Sequence, residues 1–215
     1  MLYRALTYIS ATCLLLLALR RHLIIAGEVV YSYSAFPHQQ LNYYQWPVQP
    51  GDELHQPVQG DAQVPRLVHQ ILLTSEADTD QANRQMTANI TLSRYRDAMA
   101  SCKDLHKDWT FHLWTDTTAV EFVTTNYPHL LRDYMSYAQT IQRTNILRYL
   151  LLHHFGGVYL DLDLKCRAPL DGLLHLPWLT PGAFPSGINN AFILSKKGHP
   201  FLEFLISRIH SHNVL

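Results

Sequence analysis

Cysteine is scarce in this 215-residue chain, with Cys13, Cys102 and Cys166 the only three. So few exclude a small disulfide-scaffolded fold. Cys13 lies in an apolar run, which leaves Cys102 and Cys166 as the one pair a lumenal compartment could oxidise. Two separate, largely buried thiols are the other reading. A surplus of either charge is missing too, since 17 Lys and Arg balance 17 Asp and Glu. Nucleic-acid binders normally carry a basic excess, so no nucleic-acid partner is expected. The 13 histidines are scattered, with no His-Glu-x-x-His pair and no Cys/His zinc spacing, which argues against a histidine-built metal centre. The length suits one domain with a substantial core and is short for two.

The N-terminus bears on the compartment. Leu6 to Leu19 carries no charge and is followed by Arg20, Arg21 and His22, then by Leu23 to Gly27. A membrane span needs about 20 apolar residues, and no small-x-small cleavage site follows this run. Residues 1–27 are therefore expected to be a cytoplasmic tail and signal anchor, with the remainder in the lumen. Residues 28–63 hold Pro37, Pro47, Pro50 and Pro57 and no periodic apolar pattern, as an extended stem would. The single sequon, Asn89–Ile90–Thr91, suits a secretory-pathway domain.

The domain proper is read as 64–215. Arg66 to Leu73, a short aliphatic run after Pro65, predicts a buried strand. A helix is expected over Leu92 to Leu105, a strand over Thr110 to Trp114, and a short helix around Val120, Phe122 and Val123 that Asn126–Tyr127–Pro128 breaks. A further helix runs from Gln139 to Phe155, with Gln142, Asn145 and Arg148 on one stripe. Gly156–Gly157 stops it, glycine taking a left-handed cap. The next strand is expected over Val158 to Leu164. This alternation implies an α/β fold with a mostly parallel sheet, whose ligands sit beyond the carboxyl ends of the strands.

On that last strand, the period of two puts Tyr159, Asp161 and Asp163 on one face and the aliphatic residues on the other. Two neighbouring carboxylates repel unless a cation lies between them. A hard divalent ion with oxygen ligands is the economical solution, and a diphosphate leaving group supplies a reason to hold one.

Residues Ile141 to Tyr149, continuing through Gly156–Gly157–Val158–Tyr159–Leu160–Asp161–Leu162–Asp163, resemble the sugar-binding region of glycosyltransferase family 32. Val64 to Gln70, Phe111 to Asp116, Pro169–Leu170–Asp171, Gly187 to Asn190 and Gly198 to Phe201 agree in order and spacing. The family includes fungal inositol phosphorylceramide mannosyltransferases and initiating outer-chain α-1,6-mannosyltransferases. The resemblance implies a GT-A nucleotide-sugar-binding fold behind a single-pass Golgi anchor, a GDP-mannose donor, Mn2+ (or Mg2+), and retention of anomeric configuration. The expected acceptor is a membrane lipid, inositol phosphorylceramide, and a regulatory or partner membrane subunit is a further expected associate. Asp161 would touch the donor and Asp163 the metal, with Asp161 as a second ligand. Both form the catalytic pair, and Gln70, Asn145, Arg148 and Asn190 complete the donor site.

Three positions depart from the family pattern: Asn145 stands where Asp is common, Leu72 where Trp is common, and Asn189–Asn190 where Asn-Asp is common. The family's domain also usually continues further, so 64–215 is read as C-terminally incomplete. The alternatives are an α-1,6-mannosyltransferase acting on protein N-glycans and a non-catalytic partner of an active transferase. A haloacid-dehalogenase-like phosphohydrolase fits poorly, because its acidic motif belongs near the start of the domain and Lys165 occupies the position of its usual Thr or Val.

Overall fold

A computed structural model describes Arg20 and residues 62–74, 81–183 and 188–212. The chain divides into two compact units, Met1–His55 and Gln56–Leu215, and all described residues except Arg20 belong to the second. The expected anchor but for Arg20, and the stem but for its last two residues, lie outside them. Among the described residues no helix is long and apolar enough to cross a membrane.

Five strands form one sheet: β1 (Leu67–Ile71), β2 (Thr110–Trp114), β3 (Gly157–Leu160), β4 (Trp178–Leu179) and β5 (Phe192–Ser195), in the order β2-β1-β3-β5-β4. The β2-β1-β3 half is parallel, with His69 opposite both His112 and Tyr159. β5 then pairs antiparallel with β3 and with β4. The expectation of a mostly parallel sheet therefore holds for the centre and fails at the β5–β4 side.

Helices and the chain after β3 cover the two faces. On one, α1 (Gln81–Leu105) contributes Cys102 to a core with Val68, Trp109, Val158, Leu160 and Leu194. On the other, α2 (Asp116–Asn126), α3 (Leu131–Ser136), α4 (Thr140–Phe155) and α5 (Pro200–His212) pack around Ile71, Tyr159 and Ile193. A strand covered on both faces reads as continuously apolar, and every residue of β3 is buried.

α1 begins well before the expected Leu92. Only Ala98 and Cys102 of its 25 residues are buried, so its first half shows no apolar stripe to read. Good helix formers such as Gln81, Ala82, Arg84, Gln85 and Met86 carry it instead.

The glycine pair does stop α4, but not through a left-handed helical cap. Gly156 has φ 71° and ψ −167°, and its N–H bonds Leu152 O. Positive φ with extended ψ is a region essentially reserved for glycine. A Cβ at Gly156 would meet Lys197 N at 2.7 Å, and one at Gly157 would collide with Leu67 O. Glycine here lets the α4–β3 corner enter the sheet edge-on beside β1.

Candidate active site

β3 ends at Leu160, four residues short of the expected Leu164. Asp161 N–H still bonds Ala191 O at 2.9 Å, but Leu164 N–H folds back onto Asp161 O at 3.1 Å. The two aspartates therefore lie on a turn at the carboxyl end of the strand and do not share a strand face. Aspartate favours turns, where its carboxylate bonds nearby backbone and stays hydrated. Asp161 is half-buried and Asp163 exposed, so the turn separates their environments.

Asp161 is held from inside. Tyr159 Oη donates to its Oδ1 at 2.5 Å, and Arg148 Nη1 lies 3.5 Å from the same oxygen. The Arg148 guanidinium stacks 4.4 Å above the Tyr159 ring, a cation–π contact, and donates to Asn190 O at 2.5 Å. With its side chain only 2% exposed, Arg148 sits beneath the site, where it joins the acidic turn to the Asn189–Asn190 loop. Burial pushes the Tyr159 phenol well above its ordinary range; nearby Arg148 opposes the shift and Asp161 adds to it. Tyr159 is thus a hydrogen-bond donor at any working pH.

Asn190 closes the group. Its Nδ2 donates to Asn145 Oδ1 at 3.3 Å and to Tyr149 Oη at 3.4 Å. Asn145, Tyr149 and Arg148 follow one face of α4, as positions three and four apart do. The structure therefore brings Asn145, Arg148, Asp161 and Asn190 together and adds Tyr149 and Tyr159. Neither tyrosine was among the expected site residues, though Tyr149 lies at i+4 from Asn145 and Tyr159 two residues before Asp161.

Gln70 is elsewhere. It alternates onto the Val68 face of β1, whereas His69 pairs with Tyr159 on the other face. It is 3% exposed, and its Nε2 has no hydrogen-bond partner among the described residues. His69 is fully bonded: Nε2–H donates to Gly156 O at 2.9 Å and Nδ1 accepts from Trp114 Nε1 at 3.2 Å. Burial lowers its pKa to about 4.

A pocket of about 400 Å³ opens where β1 and β2 end, lined among others by Thr74, Asp116, Tyr134 and Arg143. Asp116 Oδ2 accepts from Thr74 N at 3.0 Å and from Thr74 Oγ1 at 2.8 Å, which fixes the carboxylate. Burial pushes the Tyr134 phenol up to about 12. α4 serves both places, with Arg143 on the pocket and Asn145 and Arg148 on the acidic turn. Thr74, Asp116, Tyr134 and Arg143 were not among the expected site residues.

The chain after the acidic turn is pinned to α1. Cys102 and Cys166 form a disulfide, so the open pairing question resolves to a bond. Ser101 Oγ accepts Cys166 N–H at 3.0 Å and His106 Nε2 accepts Leu170 N–H at 2.8 Å.

The donor set fits a hard divalent ion shared with a ligand. No group of three or more His, Cys, Asp or Glu able to hold a metal occurs among the described residues. Mg2+-like ions nevertheless bind through one or two carboxylates, completing their shell with phosphates and water. Asp163, exposed on the turn, is the free carboxylate, and Asp161 offers its second oxygen.

Residues 92–178 match the family described as the glycosyltransferase sugar-binding region containing DXD motif. Inositol phosphoceramide mannosyltransferase 3 of Schizosaccharomyces pombe is 40% identical over 141 residues, which are 66% of this chain and 36% of that protein. Inositol phosphoceramide mannosyltransferase 2 of the same organism is 32% identical over 155 residues, 72% of this chain and 41% of that protein. Mannosyl phosphorylinositol ceramide synthase SUR1 of Saccharomyces cerevisiae is 33% identical over 138 residues, 64% of this chain and 32% of that protein. The chain thus spans about a third to two fifths of the length of these relatives. The family resemblance read from the sequence is borne out: residues 92–178, with Asp161–Leu162–Asp163 inside them, match the glycosyltransferase sugar-binding region containing a DXD motif.

Proposed function

We propose that the chain works as a metal-dependent, retaining glycosyltransferase of GT-A type, moving mannose from GDP-mannose to the head group of inositol phosphorylceramide at the Golgi membrane. The observation that carries the reading is the Arg148–Tyr159–Asp161–Asn190 group set at the carboxyl end of β3, directly beside the exposed Asp163. Three relatives whose names specify mannosylation of inositol phosphoceramide support the sugar and the acceptor.

Each residue has a definable task. Asp163 and Asp161 hold Mn2+ or Mg2+, which when bound neutralises the charge that develops on the diphosphate leaving group. Tyr159 and Arg148 fix the Asp161 carboxylate before the donor arrives, so little reorganisation is left for binding. Asn145, Tyr149 and Asn190 present amide and hydroxyl groups to sugar hydroxyls. The pocket at Thr74 and Asp116 lies on the same end of the sheet, where nucleotides bind in α/β folds, and takes the nucleoside half. A lumenal domain held at the membrane suits a lipid acceptor.

The test is direct. The full chain in detergent should bind GDP-mannose in the presence of Mn2+. Mn2+-dependent binding of a different nucleotide sugar and none of GDP-mannose would overturn the donor assignment.

A further inference from the structure

We propose that Asn89 is an N-glycosylation site, with the glycan carried on the outer face of α1. Asn89–Ile90–Thr91 is the only Asn-x-Ser/Thr triplet in the chain, so the inference attaches to one residue. The structure supplies two observations that the triplet alone does not. Asn89 is exposed, and its Oδ1 accepts from Gln85 Nε2 at 3.3 Å. The Cys102–Cys166 bond belongs to an oxidising compartment, the one in which such glycans are added.

Helix geometry decides whether the domain can carry the addition. Ala98, buried at 5% exposure, lies nine residues further on, and at about 100° per residue Asn89 points roughly 180° away from it. Arg84, which lines the pocket, is five residues earlier and about 140° away around the helix. A glycan on Asn89 therefore meets neither the packing face of α1 nor the mouth of the pocket. It does pass over Met86 and Ile90, which are 59% and 52% exposed. Two exposed apolar side chains beside Asn89 are a surface that a polar oligosaccharide would shield.

The step balances. The Asn89 amide nitrogen bonds C1 of the reducing-end sugar of a lipid-linked oligosaccharide diphosphate. The C1–O bond breaks, the lipid diphosphate leaves with the electron pair, and the transferring enzyme takes the amide proton. The acceptor is the extended chain, before α1 forms.

The full chain should be expressed in a eukaryotic secretory host and its peptides mapped by mass before and after peptide-N-glycosidase. The expected result is one glycan, removed by the enzyme to leave aspartate at position 89. It should be absent from Asn89→Gln and kept in Thr91→Ser. Donor binding by Asn89→Gln should equal that of the parent, because Asn89 is remote from the pocket and the acidic turn. A chain with an intact Cys102–Cys166 bond and unmodified Asn89 overturns the proposal, and so does an unmodified chain with both thiols free. Loss of donor binding in parent and variant alike, with the glycan present, would refute the transferase reading and leave this one standing.

Discussion

Tyr159 donates its phenolic hydrogen to Asp161 Oδ1 across 2.5 Å while its ring lies beneath the Arg148 guanidinium, 4.4 Å away. One side chain thus orients the carboxylate and seats the cation that faces it. Tyr159→Phe should keep the ring and lose only the hydrogen bond to a charged acceptor, a contribution of about 1.5–3 kcal/mol. If Asp161 must be preset for the donor, affinity for GDP-mannose with Mn2+ falls about 10- to 100-fold. Calorimetry reads the affinity. Urea unfolding should show that the variant stays folded.

The disulfide closes a sequence separation of 64 residues, and Cys166 lies three residues after Asp163. Replacing both cysteines by alanine should cost about 4 kcal/mol in the chain-entropy account of cross-links. Mn2+ affinity should fall as well, since the outgoing limb of the turn would then be held to α1 chiefly through Ser101 and His106. Denaturant midpoints and metal titrations of the folded fraction check the two effects separately.

His69 gives the fold a pH dependence of definite sign. Its pKa is lowered from 6.5 to about 4, chiefly by burial, and both ring nitrogens are committed in the neutral form. The unfolded chain therefore takes up the proton first. The stabilisation is complete above about pH 6.5 and is lost as pH falls towards 4, amounting to about 2 kcal/mol between pH 7 and 5. Urea midpoints at those two pH values should differ accordingly, and His69→Gln should remove this part of the slope.

Much of the scaffold was legible in its apolar pattern. β2 was expected over Thr110 to Trp114 and is found there, and α4 starts one residue after the expected Gln139. The acidic motif, its helix and Asn190 were also readable, since the chemistry is concentrated in contiguous residues. The errors have physical causes. The first half of α1 is solvated, so burial printed no period on it. Alternation placed Asp161 and Asp163 on a strand, whereas hydrated carboxylates favour the turn that ends it. Gln70, expected at the donor site from its place in the chain, is buried on the Val68 face of β1. The tyrosines at 149 and 159 look like core aromatics until their hydroxyls are located in space.

The central claim is that Asp163 holds the ion through which the donor's diphosphate is bound. Asp163 is exposed, so Asp163→Ala should shift stability by no more than about 0.5 kcal/mol. Titrating GDP-mannose onto parent and variant by calorimetry, with and without Mn2+, tests the claim most directly. The account predicts Mn2+-dependent binding by the parent and its loss in Asp163→Ala. Equal Mn2+-dependent binding by the two proteins would contradict it.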